Sequence, residues 1–397
     1  MTFEAWRAHH QSGWLFAPLA LGNAAVVGLA APWALRSLSH DPQVPLLFAA
    51  GGLTALLDGP YAAHREQARA FLADPAHRAA YGMEKGAYRE MVLGWLKELA
   101  DLGFGRLAFP GVTTDLPDLG GFMAAFETLA YGDLSLSVKA GVQFGLWGGS
   151  IYFLGSDAQR EAWLPGVASL EAPGCFAMSE VGHGSNVADL ETITRYDHAT
   201  RELVVHTPTE SARKDWAGNA ALHAKAATVF TQLEVGGVAH GVHAVIVPLR
   251  DAAGQPLPGI RIGDCGTKQG LNGVDNGRIW FEQVRVPVEN LLSRHAQITE
   301  DGRYQSAIES PGRRFFTMLG TLVGGRLSVA AFGVSAAKVG ITIALRYATL
   351  RRQFGPTTGP ETLLLAYPTH QRRLLPHLAS TYASHFAVEA LRQEFDE

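Results

Sequence analysis

The chain is poor in cysteine, in excess charge and in the familiar nucleotide-binding signatures. Its two cysteines, Cys175 and Cys265, lie far apart, which excludes a disulfide framework and a cysteine-rich zinc site and favours a reducing compartment. Lys and Arg total 33 against 37 Asp and Glu, and the formal charge of -4 argues against nucleic acid as the main partner. The sequence has no G-x-G-x-x-G after a strand, no Walker A, no H-E-x-x-H and no G-x-S-x-G, so dinucleotide-binding, P-loop, zinc-protease and α/β-hydrolase classes are disfavoured.

Apolar residues are plentiful by contrast. Hydrophobic residues make up 47% and charged residues 18% of the 397 residues. This balance predicts a folded chain with a large core, and the length suggests two or three domains.

The first part of the chain contains a long uncharged segment at residues 14–35. At about 1.5 Å per residue a helix of this length could span a bilayer. Pro18 and Pro32 interrupt the segment, and Glu4 ahead of it is unusual for a signal peptide. We therefore expect an apolar Ala-rich extension over residues 1–55, dispensable for the rest of the fold, rather than a membrane span.

The order of patterns predicts an α+β multidomain protein. Residues 56–172 show helical spacing, with Asp58 expected to cap the first helix and further helices over 83–102, 121–136 and 159–164. Residues 173–295 contain short strand-like runs at 190–196, 202–206, 226–235, 241–249 and 278–286 with no helix between them, which favours an antiparallel sheet or β-barrel. Helical spacing returns over 310–397, where an apolar helix at 315–350, buried on most faces, begins a C-terminal helical bundle.

The segment GCFAMSEVGHGSNVADL at residues 174–190 lies where the helical and strand patterns meet. Gly182, Gly184 and Ser185 predict a tight polar turn whose backbone amides can approach a ligand closely. Ser179 adds a hydroxyl that can donate and accept. Alone, this segment fits a ligand site and an interdomain linker turn equally well.

Further motifs follow in order: KDWAGN at 214–219, PLPGIRIGD at 256–264, DNG at 275–277, VRVP at 284–287 and RRQFG at 351–355. Together with CFAMSEVGHGSNVADLET they resemble the acyl-CoA oxidase and acyl-CoA dehydrogenase flavoprotein superfamily over about residues 56–397, and most closely its acyl-CoA oxidase branch. The resemblance implies an acyl-CoA dehydrogenase-like fold: an N-terminal α-helical domain (56–172), a middle antiparallel β-barrel domain (173–295) and the first helices of a C-terminal α domain (310–397).

The resemblance also implies FAD between the β-domain and the helical bundle. Its implied flavin-ring contacts are Met178, Ser179, Trp216, Ala217 and Gly218. Its implied contacts to the dinucleotide part, often across a subunit interface, are Arg351, Gln353 and Phe354. For acyl-CoA it implies Ser185 and Arg326. No metal is implied.

The implied activity is oxidation of acyl-CoA to trans-2-enoyl-CoA with electron transfer to O2, giving H2O2. Such a reaction needs a carboxylate base, a hydride acceptor and hydrogen bonds to the thioester carbonyl. The family's base Glu would lie beyond Glu397, and Gly325 occupies its alternative location, so we expect a fragment or one half of a split oxidase. Glu389 and Glu394 lie too soon after RRQFG for the usual site.

Two alternatives stay open. One is an acyl-CoA dehydrogenase that passes electrons to an electron-transfer flavoprotein, and the other is a non-catalytic subunit that binds FAD or acyl-CoA. The expected partners are acyl-CoA, O2 and either a second copy or a complementing C-terminal half. The expected location is the cytoplasm, or the peroxisome in a eukaryote.

Overall fold

The computed structural model describes residues 50–79, 81–114 and 119–396. They divide into two compact units. Unit 1 contains residues 50–65 and 329–395, and unit 2 contains residues 66–328. The uncharged segment at residues 14–35 lies outside the described residues.

The described residues between 50 and 168 are mostly helical, as predicted from residue 56 onward, but the first helix begins at Ala50, inside the segment expected to be an extension. The helices are α1 Ala50–Asp58, α2 Ala62–Ala73, α3 Lys85–Asp101, α4 Phe104–Leu107, α5 Leu119–Leu129, α6 Leu134–Ala140, α7 Gly149–Leu154 and α8 Asp157–Ala168, with a π-helical segment, Gly141–Gly148, between α6 and α7.

Two helix predictions need correction. Asp58 ends α1 instead of beginning a helix, and its carboxylate makes no capping bond to the short 3-10 turn that follows. The predicted helix over 121–136 is two helices. The break comes at Asp133, whose carboxylate accepts hydrogen bonds from the amides of Ser135 and Leu136 and so starts α6.

Residues 174–306 contain the strands, which include the five predicted runs and further strands at 174–177, 214–217, 260–264, 296–298 and 304–306 that the sequence pattern did not predict. They are β1 Gly174–Ala177, β2 Ile193–Asp197, β3 Glu202–His206, β4 Lys214–Ala217, β5 Ala226–Val235, β6 Val238–Pro248, β7 Ile260–Asp264, β8 Gly277–Phe281, β9 Val284–Pro287, β10 Ala296–Ile298 and β11 Tyr304–Ser306.

The six-stranded sheet is mixed, whereas the sequence pattern predicted antiparallel pairing. Its strands run β1-β5-β2-β3-β9, with β6 along β5 as well. β1 pairs with the first half of β5 and β2 with the second half, both in parallel. The chain forms the β2–β3 hairpin and β4 before it enters β5, so β5 can run in the same direction as β1 and β2.

The alternating run at 278–286 is two strands in different sheets. β8 belongs to the three-stranded sheet β4-β8-β7, and β9 pairs with β3 in the six-stranded sheet. The chain changes sheet at Gln283, which adopts a left-handed φ of 49°. The alternation of side chains continues through this turn, and for that reason the sequence gives no sign of the break.

The six-stranded sheet is covered on both faces. Phe230 and Ala226 of β5 pack with the helices, in a core that includes Trp95, Trp147 and Phe144. The alternate β5 residues, such as Val229 and Leu233, pack into a second core with Ile279 and Phe281 of the three-stranded sheet. The period-2 alternation of β5 therefore supplies two cores from one strand.

Three helices follow the strands: α9 Pro311–Leu319, α10 Val323–Leu350 and α11 Pro368–Asp396. A 3-10 turn at Gly320–Leu322 separates α9 from α10, so the predicted helix over 315–350 is interrupted. Contrary to prediction, α10 is not buried on most faces. It exposes the large apolar side chains Val329, Ile343, Tyr347 and Leu350. By length and composition Pro311–Leu350 could cross a membrane, a property that it shares with core helices of water-soluble proteins.

Candidate functional site

The segment that follows β1 is held by the backbone and side chain of β4. The amide of Asp215 donates to the carbonyl oxygen of Ser179 at 3.1 Å. The ammonium of Lys214 donates to the carbonyl oxygen of Met178 at 3.1 Å. The structure therefore brings together the two motifs that the resemblance assigns to the flavin ring, although the contacting residues Met178 and Lys214 are 36 positions apart in sequence.

Ser179 keeps its donors unused. Within the described residues its only hydrogen bond is the one that its carbonyl oxygen accepts, so its amide and hydroxyl are unpaired. The residue is half-buried, between buried Met178 and buried Glu180. Half-buried donors without partners on a fixed backbone are suited to a ligand that presents acceptors.

A fully buried ion pair lies directly behind this segment. Lys214 Nζ is 2.8 Å from Glu180 Oε1, and both side chains are 0% exposed. The ammonium also donates to the carbonyl oxygen of Phe230 at 2.6 Å, so each of its three hydrogens has an acceptor. Burial lowers the pKa of Lys214 to about 8, although the Glu180 carboxylate opposes this shift.

The Glu180 carboxylate is equally occupied. Its Oε1 accepts from the amide and hydroxyl of Thr192, and its Oε2 accepts from the amide of Glu191 at 2.6 Å. The pair thus ties the end of β1, the start of β4 and the middle of β5 to the segment that leads into β2.

Trp216 is an exposed aromatic residue in a left-handed conformation. Its φ is 59° and its side chain is 57% exposed. A non-glycine residue with this φ is uncommon and is retained where surrounding contacts hold it. Here the carboxylate of Asp215 accepts from the Trp216 amide at 3.0 Å, and the side-chain amide of Asn276 donates to the Trp216 carbonyl oxygen at 3.0 Å. The DNG motif therefore holds the KDWAGN motif.

A second buried ion pair supports the other end of the same loop. Lys139 Nζ on α6 lies 2.5 Å from Asp275 Oδ1, with side-chain exposures of 1% and 0%. Lys139 also donates to Asn219 Oδ1 at 2.9 Å. Asp275 Oδ2 accepts from the amides of Leu222 and His223. Burial alone would raise the pKa of Asp275, but His223 and Lys139 outweigh it and hold that pKa well below its ordinary value.

Ala217 and Gly218 are buried between the exposed tryptophan and Asn219. A Cβ added at Gly218 would lie 2.7 Å from Cγ2 of Val142, in the π-helical segment. The close approach that requires glycine in this structure is thus to Val142. π-helical segments occur frequently beside functional sites.

The RRQFG motif begins as α10 ends, in unit 1. The backbone of Gln353 and Phe354 pairs with that of Thr362 farther along the loop, and the hydroxyl of Tyr367 donates to the Gln353 carbonyl oxygen at 2.7 Å. Phe354 is 74% exposed with a φ of 55°. The side chains of Arg351 and Gln353 are exposed and make no hydrogen bond within the described residues. A fixed backbone that presents unpaired polar and aromatic side chains is suited to binding.

The two residues implied for acyl-CoA are exposed. Ser185 lies in the turn after Gly184, and its carbonyl oxygen accepts from the amide of Val187 at 3.0 Å. Arg326 lies in the first turn of α10. The structure records no contact that joins the two, so their roles stay predictions.

Glu389 of α11 is engaged in an ion-pair cluster in unit 1. The guanidinium groups of Arg65 and Arg392 both contact its Oε1, and Arg392 also lies over the ring of Tyr61 at 5.8 Å. Both arginines are buried. Both contacts fall on one oxygen and tie this carboxylate into the ion-pair cluster. Glu394 is exposed.

Comparison with known proteins identifies the family. The acyl-CoA dehydrogenase N-terminal domain matches residues 61–171, the acyl-CoA dehydrogenase middle domain matches residues 175–284, and the acyl-CoA oxidase C-alpha1 domain matches residues 319–397. The chain belongs to the acyl-CoA oxidase and acyl-CoA dehydrogenase superfamily. The expected fold class is confirmed.

Individual relatives are acyl-CoA oxidases. The peroxisomal acyl-coenzyme A oxidase 3 of Arabidopsis thaliana is 47% identical over 313 residues, which is 79% of this chain and 44% of that protein. The crystal structure of acyl-CoA oxidase 3 from Yarrowia lipolytica matches with a TM-score of 0.77 and 34% identity, over 88% of this chain and 49% of that one. Acyl-CoA oxidase-1 of Caenorhabditis elegans, complexed with FAD and ATP, matches with a TM-score of 0.68 and 30% identity, over 85% of this chain and 49% of that one. The chain thus spans about half the length of these relatives.

Sequence reasoning missed the residues behind the site. Four of these residues are charged and buried: Glu180, Lys214, Lys139 and Asp275. A fifth, Val142, fills the space beside Gly218. The motifs contain Lys214 and Asp275, but their partners are 34 and 136 residues away, so the pairing appears only in the fold.

Proposed function

We propose that this chain binds FAD and contributes to the oxidation of acyl-CoA to trans-2-enoyl-CoA, with electrons passed to O2 to give H2O2, as in fatty acid β-oxidation. The observation that carries the proposal is Ser179: its amide and hydroxyl are unpaired next to a segment that exposes Trp216. An acceptor-rich aromatic ligand would satisfy both features. The family match and the FAD complex of the C. elegans relative support the choice of ligand.

The described residues fit FAD in two places. In unit 2, Ser179 would donate to acceptors of the ring system, and the Trp216 side chain would cover an apolar face. In unit 1, Arg351 and Gln353 are free to meet phosphate or sugar oxygens, and Phe354 to meet an aromatic base. When bound, FAD supplies the acceptor for the hydride that leaves the acyl Cβ.

The chain's own residues would bind and orient the reactants. The ion pairs at Lys214 and Lys139 fix the backbone on either side of the ring contacts. Ser185 and Arg326 are the proposed contacts for acyl-CoA. The proton from Cα needs a carboxylate, and because Glu389 is held by Arg65 and Arg392, we propose that the base comes from a helical region outside these residues.

A further helical partner would also cover the exposed face of α10. Ile343, Tyr347 and Leu350 on this helix and Phe354 after it are all more than half exposed. Apolar patches of this kind mark interaction surfaces. We propose that a second copy or a complementing C-terminal half of an oxidase packs here.

The peroxisomal name of the Arabidopsis relative supports a peroxisomal location if the source is eukaryotic.

Acyl-CoA-dependent peroxide formation tests the proposal. The FAD-loaded chain is mixed with palmitoyl-CoA or shorter acyl-CoAs under air, alone and with the remaining C-terminal region of an oxidase. We expect bound FAD in both cases and peroxide mainly in the second, since a positioned base contributes about 10²–10⁴-fold. Reduction of an artificial electron acceptor without peroxide would favour the dehydrogenase alternative. FAD binding without any turnover in either case would favour a non-catalytic subunit.

A further inference from the structure

The Glu180–Lys214 pair is unusual because two opposite charges, both 0% exposed, lie directly behind the segment that carries the proposed ring contacts. Buried ion pairs carry a large desolvation cost, and a well-packed apolar pair often replaces them without loss of stability. The position of this pair behind Met178 and Ser179 therefore points to a task other than stability.

The contacts of the pair determine which backbone atoms remain free. The Lys214 ammonium donates a hydrogen bond to the carbonyl oxygen of Met178. The next amide along the chain, that of Asp215, donates to the carbonyl oxygen of Ser179. Both acceptors of this two-residue segment are thus occupied by β4. The donors of Ser179 are left unpaired.

Glu180 fixes the same segment from the other side. Its carboxylate accepts from Lys214 and from both backbone amides at Glu191 and Thr192. With the Thr192 hydroxyl, the side chain after Ser179 therefore cannot rotate without breaking four charge-assisted hydrogen bonds, which are among the strongest in proteins.

We propose that Glu180 and Lys214 are positioning residues that present the amide and hydroxyl of Ser179 to the bound ring system. The inference deepens the proposed function and rests on it for the identity of the ligand. It implies that this segment meets the acceptor-bearing edge of the ring, because the backbone group that it leaves free at Ser179 is an amide, which can only donate.

Hydrogen exchange of the ligand-free chain tests the positioning directly. The variants are K214M and E180Q/K214M, of which the second removes both charges and so leaves no unpaired buried charge if K214M fails to fold. The matched control is R89M, because Arg89 is also buried and ion-paired, to Asp264, without contacting residues 178–184. We expect the hydrogen-bonded amides of residues 180–183 to exchange about tenfold faster or more in the double variant, as the loss of a charged hydrogen bond predicts. They should be unchanged in R89M.

Ligand binding supplies the second measurement. The double variant should weaken FAD and riboflavin by the same factor, because the affected contact is to the ring they share. An exchange rate within twofold of wild type at residues 180–183, an equal rise in R89M, or a loss of affinity confined to FAD would overturn the inference. A wild-type chain that shows the exchange pattern and binds neither flavin would instead refute the proposed function while the positioning stands.

Discussion

Asn276 donates a hydrogen bond from its side-chain amide to the carbonyl oxygen of Trp216 at 3.0 Å, and so holds an exposed tryptophan in a left-handed conformation. Lys268 in turn donates to the Asn276 side-chain oxygen. A contact between two motifs 60 residues apart explains why the chain contains a DNG sequence there. It also connects the aromatic loop to the buried Asp275, one residue earlier.

The buried Lys139–Asp275 pair should make a large contribution to the free energy of unfolding of unit 2. Replacing Lys139 with Met leaves a buried carboxylate without its counter-charge, and such losses typically cost about 3–5 kcal/mol. Urea unfolding of K139M measures the change. The matched control is K97M, because Lys97 and Asp101 are also 2.5 Å apart but are more than half exposed, so that their loss should change stability little. Equal effects of the two variants would contradict the structural role of the buried pair.

A methyl group at Gly218 should disturb the packing of the π-helical segment. Its Cβ would lie 2.7 Å from Val142 Cγ2, and overpacking of this kind costs about 1–3 kcal/mol. The double variant V142A/G218A removes the clash, so we expect thermal unfolding and FAD affinity both to recover. A double variant that is stable but still binds FAD poorly would show that the glycine is required by the ring instead.

Stability should decline in mild acid because of His243. Its Nδ1 lies 2.9 Å from the carbonyl oxygen of Gly241 and its Nε2 lies 2.9 Å from the hydroxyl of Tyr304, a set of partners that suits the neutral ring. Burial lowers the pKa of His243 to about 4, and the nearby charge of Arg314 acts in the same direction, while the Gly241 carbonyl opposes it.

The unfolded chain takes up this proton near pH 6.5 and the folded chain only near pH 4, so the free energy of unfolding falls as the pH drops through that window. Urea titrations between pH 7 and pH 4 measure the slope. The variant H243Q should show a shallower slope than wild type. An unchanged slope would mean that other groups cause the decline.

The sequence predicts the strands best where one local pattern decides the outcome. Residues 202–206 and 226–235 form strands with the predicted bounds, because period-2 alternation ends at turn residues such as Gly236. The mixed sheet and the break at Gln283 depend on which strand lies alongside, and alternation carries no such information.

The residues of the candidate site also fall into those that the sequence identifies and those that only the fold reveals. The resemblance of motifs identifies Ser179 and Trp216, whose side chains or donors remain free for a ligand. A buried charge such as Lys139 is paired with a residue far along the chain, Asp275. Its role can therefore be recognised only in the folded structure, where the two residues are in contact.

Equilibrium titration of the purified chain with FAD tests the central claim most directly. Wild type should bind one FAD per chain. S179A should bind about two- to twelvefold more weakly, as expected for a lost neutral hydrogen bond of about 0.5–1.5 kcal/mol. The control S169A, which removes another half-buried serine hydroxyl, at the end of α8, should match wild type. A folded wild-type chain that binds no FAD, or an S179A variant that binds it as tightly as S169A does, would contradict the account.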